Sequence, residues 1–377
     1  MLNIPITSVP LLFILFLIFC SSVFLQLVFY WIFFFRLAIF REKPKDQSKK
    51  SVSVVICARN EYTNLKENLP LFLEQDYPDF EVVVVNHASD DDSAFLLSQM
   101  ADQYPRLKVV DIMENLNFFS GKKFPLSIGI KSAKNEIILL TDADCRPAGK
   151  DWILKMQSAF SNQKEIVLGY GGYRPEPGFL NKMIRFDTTH IAMQYLSSAL
   201  NGIPYMGVGR NMAYTKNLFY RNNGFIAHYK INSGDDDLFI NRVATKKNTR
   251  ITLDPATFTY SHPKKTFREW VFQKRRHIST GRYYRMGHKV MLGTYLMSQS
   301  LYFILFFLLI LLNFNPWLIL ALFVFKTANQ LFVFRKCMVR LHEKDFLLAI
   351  PFMELLLLVM NAAFSIKNLV APNNKWK

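Results

Sequence analysis

The sequence predicts an α/β domain with a mainly parallel sheet, flanked by transmembrane helices at both ends of the chain. Two uncharged stretches, Met1–Phe35 and Val290–Phe325, are long enough to cross a bilayer. Between them, apolar runs of strand length alternate with segments of helical pattern, which is typical of a parallel sheet covered on both faces. Basic residues also gather next to the uncharged stretches, where a membrane protein places them.

The first predicted element is a transmembrane anchor. Pro10–Phe35 is longer than the about 20 residues that a spanning helix needs. This stretch has neither the basic start nor the small-residue cleavage site of a secretory signal. We therefore expect the anchor to be retained.

The C-terminal region is predicted to contain a helical hairpin and one further span. Asn313-Phe-Asn-Pro316 interrupts the second uncharged stretch like a tight turn, so the hairpin covers about 290–334. The further span, about 346–366, is apolar apart from Glu354. Lys326 falls at a similar depth in the hairpin. Since a charge inside a bilayer is expected to find a partner, we predict that Lys326 and Glu354 pair.

The basic residues predict the orientation of the chain. One cluster of basic residues follows the first span, a second lies between His262 and Lys289, and a third lies between the last two spans. Because basic loops stay on the cytoplasmic side, we expect the segment between the first two spans to face the cytoplasm. If the last segment crosses the membrane, Lys367, Lys375 and Lys377 lie outside, which goes against the rule that basic residues stay in the cytoplasm. The alternative is that this segment is re-entrant or lies in the membrane interface. The basic residues after the first span are Arg36, Arg41, Lys43, Lys45, Lys49 and Lys50.

The net charge of +17 raises the question of nucleic-acid binding, because phosphates attract Lys and Arg. No recognisable nucleic-acid-reading motif accompanies the charge, and its position suits anionic lipid headgroups. We therefore expect a membrane partner and no nucleic acid. The four Cys form no CxxC pair, and we expect no disulfides in a cytoplasmic domain.

The central segment is predicted to fold as alternating strands and helices. The last predicted strand runs directly into Asp142-Ala-Asp144. Ligands of α/β folds bind at the carboxyl ends of strands, and a hard divalent cation prefers carboxylate oxygens. A solvated loop or a helix cap is the alternative for such a triplet. The predicted strands are 51–57, 80–85, 107–112 and 137–141, and the predicted helices are 62–74, 94–103 and 124–133.

Four short motifs follow one another in the segment from Val52 to Arg285. As an ordered set they resemble the membrane-bound family-2 inverting glycosyltransferases, which include cellulose and hyaluronan synthases and ceramide glucosyltransferase. The resemblance implies a GT-A fold, a Rossmann-like arrangement with a mainly parallel sheet. The motifs are Cys57-Ala-Arg-Asn-Glu61, Thr141-Asp-Ala-Asp-Cys145, Gly234-Asp-Asp-Asp-Leu238 and Gln273-Lys-Arg-Arg-His277.

The predicted division of the chain follows from the spans and the resemblance. The transmembrane anchor covers 1–40, and the GT-A glycosyltransferase domain covers 41–261. A basic segment of amphipathic interfacial helices follows at 262–289. The transmembrane hairpin and the further span cover 290–377.

Sugar transfer from a nucleotide diphosphate requires a stabilised leaving group and a base. A divalent cation, Mg²⁺ or Mn²⁺, can act as a Lewis acid on the leaving diphosphate, and Asp142 and Asp144 are suited to hold it. The resemblance implies that Asp142 mainly contacts the nucleotide and that Asp144 contacts the metal. A carboxylate near the acceptor hydroxyl can take its proton. Alignment with hyaluronan synthases makes that base Asp236, whereas alignment with other members makes it Asp235. The alternative for these acids is an exposed turn that caps the helix Leu238–Ala244.

The resemblance also implies further substrate-binding residues. For Arg59, Asn60 and Glu61, which follow the first strand, the alternative is helix capping or ordinary surface charge. For the basic motif Gln273–His277, the alternative is a helix at the membrane surface. His277 replaces the Trp of the family signature. Asn86-His87 replaces the Asp pair that usually ends the second strand in the family, so the carboxylate that contacts the nucleotide base is missing. The implied substrate residues are Arg59, Asn60, Glu61, Lys122, Gln273, Arg276 and His277. The segment Gly207-Val-Gly-Arg-Asn211 is predicted to form the acceptor-side turn, because its glycines permit close approach, and its candidate residues are Gly209, Arg210 and Asn211.

These observations predict a multi-pass glycosyltransferase of a bacterial inner membrane, with its catalytic domain in the cytoplasm. The expected donor is a nucleotide-diphosphate sugar, a UDP-sugar first, and the expected acceptor is a membrane lipid or lipid-linked glycan of the cell envelope. A processive polysaccharide synthase is one alternative. A non-catalytic scaffold or transporter with a degenerate nucleotide-sugar domain is the alternative from another class.

Overall fold

The structure, a computed structural model, divides the chain into two compact units. The basic residues Lys43, Lys45, Lys375 and Lys377, used above to predict orientation, lie outside the described residues. The described residues are 9–42, 48–113, 121–161 and 163–371. The first unit comprises Met1–Phe40 and Arg285–Ala363, and the second comprises Arg41–Tyr284 and Phe364–Lys377.

The α-helices are numbered along the chain. A π-helical segment, Phe29–Phe34, connects the first two of them, and short 3₁₀ segments occur at Ile226–His228, Pro255–Thr257, Ser279–Tyr283 and Leu347–Ala349. The helices are α1 Val9–Val28, α2 Phe35–Ala38, α3 Tyr62–Leu73, α4 Ser93–Gln103, α5 Lys123–Ser132, α6 Trp152–Gln157, α7 Phe179–Leu200, α8 Lys216–Arg221, α9 Asp237–Val243, α10 Phe267–Ile278, α11 Met286–Leu311, α12 Pro316–Arg340 and α13 Ile350–Val370.

Two β-sheets form the framework of the second unit. The strands are β1 Val52–Ala58, β2 Phe80–His87, β3 Leu107–Ile112, β4 Ile137–Asp142, β5 Cys145–Pro147, β6 Ile166–Leu168, β7 Gly171–Tyr173, β8 Met212–Thr215, β9 Thr249–Ile251 and β10 Thr259–Ser261. The seven-stranded sheet has the order β3-β2-β1-β4-β8-β6-β9, and the three-stranded sheet has the order β5-β10-β7. Strands β1 to β4 pair in parallel, which confirms the predicted sheet.

The parallel strands are buried because helices cover them. β2 is buried along its whole length, and β1 and β4 each have one half-buried residue. α3 and α4 contribute Leu65, Leu69 and Leu97 to the hydrophobic core on the sheet. α5 approaches the strands closely at Gly129, where a Cβ would come within 2.7 Å of Val55. This close approach fixes the start of α5 near the carboxyl ends of β1 and β4.

The sequence did not predict the antiparallel part of the architecture. β8 runs antiparallel to both β4 and β6, and β10 runs antiparallel to β5. Strands β5, β6, β8 and β10 contain three or four residues each, too few to show a period of two in the sequence. Their pairing brings the turn before β8 next to the end of β4.

The chain contains long apolar helices. Four helical stretches of the described chain are long and apolar enough to cross a bilayer: Pro10–Ala38, Met286–Leu311, Pro316–Arg340 and Leu347–Val370. The predicted turn of the hairpin is confirmed, since α11 ends at Leu311 and Pro316 opens α12. Asn315, just before that proline, has the left-handed φ of 42°. Phe19 stacks on Tyr302 at 5.7 Å and so packs α1 against α11.

The predicted pairing of Lys326 with Glu354 is also confirmed. The ammonium of Lys326 donates to Glu354 Oε2 at 3.2 Å and to Gln330 Oε1 at 2.9 Å. Both members of the pair are buried, and the Lys326 ammonium lies 4.4 Å from the ring centre of Tyr302. The pair therefore connects α12 to α13 through charges that are shielded from solvent.

Candidate active site

Two carboxylates lie at the carboxyl end of β4. The parallel register pairs Asp142, the last residue of β4, with Cys57 of β1. Asp144 follows after the buried Ala143, and Cys145 begins β5. Ligand atoms of Asp142, Asp144 and Cys145 all lie within 4.8 Å of one another. Two carboxylates at this spacing suit a hard divalent cation, while burial raises the pKa of the Cys145 thiol and disfavours it as a thiolate ligand.

Lys122 connects Asp142 to the acid triplet Asp235-Asp236-Asp237. Its ammonium forms an ion pair with Asp142 and lies 3.9 Å from Asp235 Oδ2. Burial acts to raise the pKa of Asp142. The positive charge of Lys122, assisted by Arg210 and Arg276, outweighs burial, so the pKa lies below its ordinary value. The structure thus brings together a residue that the sequence assigned to the nucleotide and a candidate for the base.

Asp144 differs from Asp142 in its electrostatic surroundings. Burial and the negative charges of Asp142 and Glu61 raise the pKa of Asp144, although Arg210 and Lys264 act in the opposite direction. A carboxylate in this position gains from an additional cation beside it. Glu61, predicted as a substrate residue, is therefore electrostatically part of the same cluster.

The three members of the acid triplet have different partners. Asp236 accepts hydrogen bonds from the backbone N–H of Gly209 at 2.8 Å and of Asp237 at 2.7 Å, and so caps α9. Burial, then the charges of Asp235 and Asp237, raise the pKa of Asp236 to about 7. Asp237 accepts hydrogen bonds from the hydroxyls of Thr280 and Tyr284, so it holds the segment after α10.

The turn before β8 places Arg210 beside the β4 carboxylates. The carbonyl of Arg210 accepts hydrogen bonds from the hydroxyls of Thr141 and Thr259 at 3.1 and 3.0 Å. Its guanidinium lies 4.3 Å from the ring centre of Tyr173 and donates to the carbonyl of Gly172 at 3.2 Å. Arg210 was predicted on the acceptor side, and its position also puts its charge next to Asp142 and Asp144.

Asn211, the next residue, is buried in the core. Its side-chain amide donates to the carbonyls of Tyr170 and Thr257 at 2.8 and 2.6 Å. Its carbonyl oxygen accepts a hydrogen bond from the Trp152 indole at 3.2 Å. This side chain therefore fixes the turn, and its predicted contact with the acceptor remains a prediction.

The loop after β1 is tied to the loop after β2. The side chain of Asn60, which has a φ of 55°, accepts a hydrogen bond from the backbone N–H of Asp90 at 2.7 Å. Asp91, rather than Asn60, accepts a hydrogen bond from the first residue of α3, Tyr62, at 3.0 Å. The neighbouring Arg59 acts on His87 of β2, whose pKa is lowered by burial and by that positive charge.

Asn86 stands at the end of β2, where the resemblance implies a carboxylate. Its side-chain amide donates to Asp111 Oδ1 at 2.8 Å, from the neighbouring strand β3. Asn86 itself is buried, whereas Asp111 is exposed. A carboxylate is thus present one strand further along the sheet edge.

The basic helix α10 begins with a capping box formed by Thr266 and Glu269. Lys274 forms a buried ion pair with Asp187 of α7, with N–O distances of 2.6 and 2.7 Å. This pair orients α10, so that Gln273 donates to the Tyr173 hydroxyl at 3.4 Å. Arg276 contributes positive charge at Asp142, whereas the neighbouring His277 has an exposed side chain.

Sequence reasoning missed two residues of this cluster. Tyr173 lies between Arg210 and Gln273, and a single tyrosine at the end of a short strand gives no signal. Lys123 is buried next to Lys122, and the Lys-Lys pair before a predicted helix was the only sign of it.

Comparison with known proteins finds a family model that matches part of the chain. The model of glycosyl transferase family 2 matches residues 53–222. The chain is 28% identical to poly-beta-1,6-N-acetyl-D-glucosamine synthase of Staphylococcus epidermidis over an aligned segment of 102 residues. This segment covers 27% of this chain and 24% of the relative. It is 33% identical to undecaprenyl-phosphate 4-deoxy-4-formamido-L-arabinose transferase of Photorhabdus laumondii, also over 102 residues. Here the aligned segment covers 25% of this chain and 29% of the relative. The matched segments span about a quarter of these relatives.

Among solved structures, the chain is similar to the mannosyltransferase PcManGT from Pyrobaculum calidifontis, solved with GDP-Man and Mn²⁺. The TM-score is 0.63 at 19% sequence identity, and the match covers 95% of this chain and 99% of that chain. At this identity the similarity establishes the fold.

Proposed function

We propose that this protein, which carries a family-2 glycosyltransferase domain of GT-A fold, transfers a sugar with inversion from a nucleotide-diphosphate sugar to a hydroxyl of a membrane lipid or lipid-linked glycan. The observation that carries the proposal is the cluster around Lys122, in which Asp142 and Asp235 share one ammonium. Arg210 and Arg276 add positive charge to the same cluster.

The reaction needs one bond to form while another breaks. The acceptor oxygen would attack the anomeric carbon from the face opposite the diphosphate, and the bond between that carbon and the phosphate oxygen would break. The hydroxyl proton would pass to the carboxylate of Asp236 or Asp235. A pKa of about 7 makes Asp236 an effective base near neutral pH. Asp235 is the alternative because the alignment with other family members places the base there.

The departing diphosphate carries developing negative charge. Lys122 and Arg276 would stabilise it, and Arg210, whose guanidinium donates to Gly172 and carries five N–H donors, would assist them. Asp144, with Asp142, would hold a divalent cation, Mg²⁺ or Mn²⁺, and the two carboxylates provide the oxygen ligands such an ion prefers. When bound, the cation would act as a Lewis acid on the diphosphate.

The apolar helices support an acceptor that comes from the membrane. We propose that residues 41–261 form the catalytic domain on the cytoplasmic side of a bacterial inner membrane and that 262–289 lie at its surface. The transferase from Photorhabdus is named for an undecaprenyl-phosphate substrate, which supports a lipid-linked acceptor. The Staphylococcus relative is named a polysaccharide synthase, which supports processive synthesis as a second candidate.

The donor nucleotide follows less directly from the chain. We propose a UDP-sugar, with Arg59, Asn60 and Glu61 in the loop that would face the nucleotide. The exposed Asp111, held by Asn86, offers a carboxylate in place of the one expected at the end of β2. A GDP-sugar is the competing donor, since PcManGT was solved with GDP-Man.

The test uses the purified full-length protein in nanodiscs with native membrane lipids. A panel of UDP- and GDP-sugars is supplied with Mn²⁺ or Mg²⁺, and mass spectrometry measures released nucleotide diphosphate and glycosylated lipid. Asp144→Ala is expected to slow transfer by about 100-fold or more, because metal assistance provides several kcal/mol. Asp102→Ala, on the exposed side of α4, is the matched control and should retain activity.

Each outcome selects one interpretation. A single added sugar supports the proposal, whereas a ladder of long products supports a processive synthase. If the wild-type protein turns over no donor and Asp144→Ala binds nucleotide equally well, the protein is a scaffold or transporter rather than an enzyme.

A further inference from the structure

The residue next to Lys122 also makes contacts that the proposed reaction does not require. Lys123 is only 4% exposed, and its ammonium donates to the backbone carbonyls of His228 at 2.8 Å and Ser233 at 2.7 Å. It also donates to the carbonyl of Ile231. An ammonium has three N–H donors, so all of them are used on one loop. That loop, residues 228–234, leads directly into the acid triplet.

A second observation places the same segment against the same loop. Gly121 has a φ of +122°, and a Cβ at this position would lie 2.7 Å from the carbonyl oxygen of Asn232. A side chain here would clash with the backbone of the loop, and the φ disfavours any residue but glycine. Lys122 lies 3.9 Å from Asp235, just beyond the loop. Gly121 and Lys123 therefore lie against the loop, and Lys122 lies against the first acid that follows it.

The buried charge has an energetic cost. Burial lowers the pKa of Lys123 to about 8, although the charges of Asp235, Asp237 and Asp236 oppose the shift. An apolar side chain could cover the loop without that cost. An ammonium does what an apolar side chain cannot, because it fixes the directions of three carbonyls at once.

We propose that Lys123 is a positioning residue, which holds the loop 228–234 so that the carboxylates of Asp235 and Asp236 stay where they can receive the acceptor proton. The inference rests on the proposed function. Its contacts within the described chain are to the loop rather than to the β4 carboxylates. Loss of the ammonium is therefore expected to lower kcat and to leave donor binding unchanged.

The experiment measures loop mobility and catalysis separately. In Lys123→Met, hydrogen–deuterium exchange should accelerate in peptides covering residues 226–243 and stay unchanged in β1 and β4. If the wild-type protein transfers sugar, kcat of Lys123→Met should be about 10- to 100-fold lower, because a small misplacement of a catalytic group can slow a reaction by up to about 100-fold. The Kd for the nucleotide diphosphate should stay within about 2-fold. Lys123→Arg, which keeps charge and several donors, should recover part of kcat.

Two further variants complete the design. Lys164→Met is the matched control, because its ammonium also donates to backbone carbonyls, those of Lys246 at 3.0 Å and of Lys247, in another loop. It should alter neither kcat nor exchange in residues 226–243. Gly121→Ala disturbs the same loop contact without touching Lys123, and should also accelerate exchange there.

The outcomes separate this inference from the proposed function. Unchanged exchange of the loop in Lys123→Met overturns the positioning role, as does a fall in donor affinity equal to the fall in kcat. If the wild-type protein transfers no sugar but Lys123→Met still loosens the loop alone, the proposed function fails while the role of Lys123 in holding the loop stands. Global acceleration of exchange in both Lys123→Met and Gly121→Ala would show a merely structural role and overturn the inference.

Discussion

Replacing Asp235 with Asn tests which acid of the triplet accepts the proton. If Asp236 is the base, the transfer rate rises with pH as Asp236 loses its proton near pH 7. Burial and the negative charge of Asp235 both raise that pKa. Neutralising Asp235 is therefore expected to move the rising limb of the pH profile to lower pH, with activity retained.

The size of the shift follows from the geometry around Gly209. The position that a Cβ would take at Gly209 is 3.5 Å from Asp236 Oδ2 and 3.8 Å from Asp235 Oδ2, so these oxygens lie within about 7.3 Å of each other. Two unit charges at this largest possible separation repel by about 2 kcal/mol at an effective dielectric constant of about 20, and closer charges repel more strongly. Since one pKa unit corresponds to about 1.4 kcal/mol, the rising limb of the pH profile should move down by at least roughly 1.5 pH units.

The assay measures kcat/KM from about pH 5 to about pH 9 for the wild type, Asp235→Asn and Asp236→Asn. Asp236→Asn should lose about 100- to 10,000-fold in rate across the range, as expected when a general base is removed. An inactive Asp235→Asn together with an active Asp236→Asn would refute this reasoning and make Asp235 the base. An unshifted limb in an active Asp235→Asn would show that a group other than Asp236 titrates.

Three further predictions concern the ion pairs and the end of α13. Lys274→Met leaves the buried Asp187 without its partner and should lower the free energy of unfolding by about 3–5 kcal/mol in denaturant titrations, whereas adding Asp187→Leu should restore most of it. Lys326→Met should reduce the amount of protein in membrane fractions, and adding Glu354→Gln should recover it; a harmless single variant would contradict a role for the pair. A cysteine at Asn368, which hydrogen-bonds to α10, should react with an impermeant maleimide from the side of the membrane that carries α10, and reaction from the opposite side would favour a fourth crossing.

The parallel half of the sheet could be predicted from the sequence because burial on both faces leaves a strong mark. β2 reads Phe-Glu-Val-Val-Val-Val-Asn-His, and a short apolar run rich in valine between turns is typical of a strand covered on both faces. The acids at the end of β4 were predictable for the same reason, since the preceding apolar run fixes where the strand ends. Short strands such as β6 and β10 have three residues each, so neither their existence nor their direction could be predicted.

The roles of single side chains in the site were harder to predict, because they depend on contacts between distant parts of the chain. The sequence placed Arg210 on the acceptor side, yet two threonine hydroxyls from β4 and β10 fix its carbonyl so that its charge also acts at Asp142. Asn211, beside it in the sequence, points into the core instead. Neighbours in a turn thus have different functions, and only the pairing of β8 with β4 decides which one faces the carboxylates.

The start of α5 couples the acids of β4 to the acids of the triplet. Lys122 is shared between Asp142, which the resemblance gives to the nucleotide, and Asp235, a candidate base. A negatively charged diphosphate arriving near Asp142 would compete for the same ammonium, because opposite charges stabilise each other over such distances. Less of the Lys122 charge would then act on Asp235, which lies 3.9 Å from that ammonium. Donor binding would therefore loosen the contact between Lys122 and Asp235, and the two groups of acids would respond to each other through this one side chain.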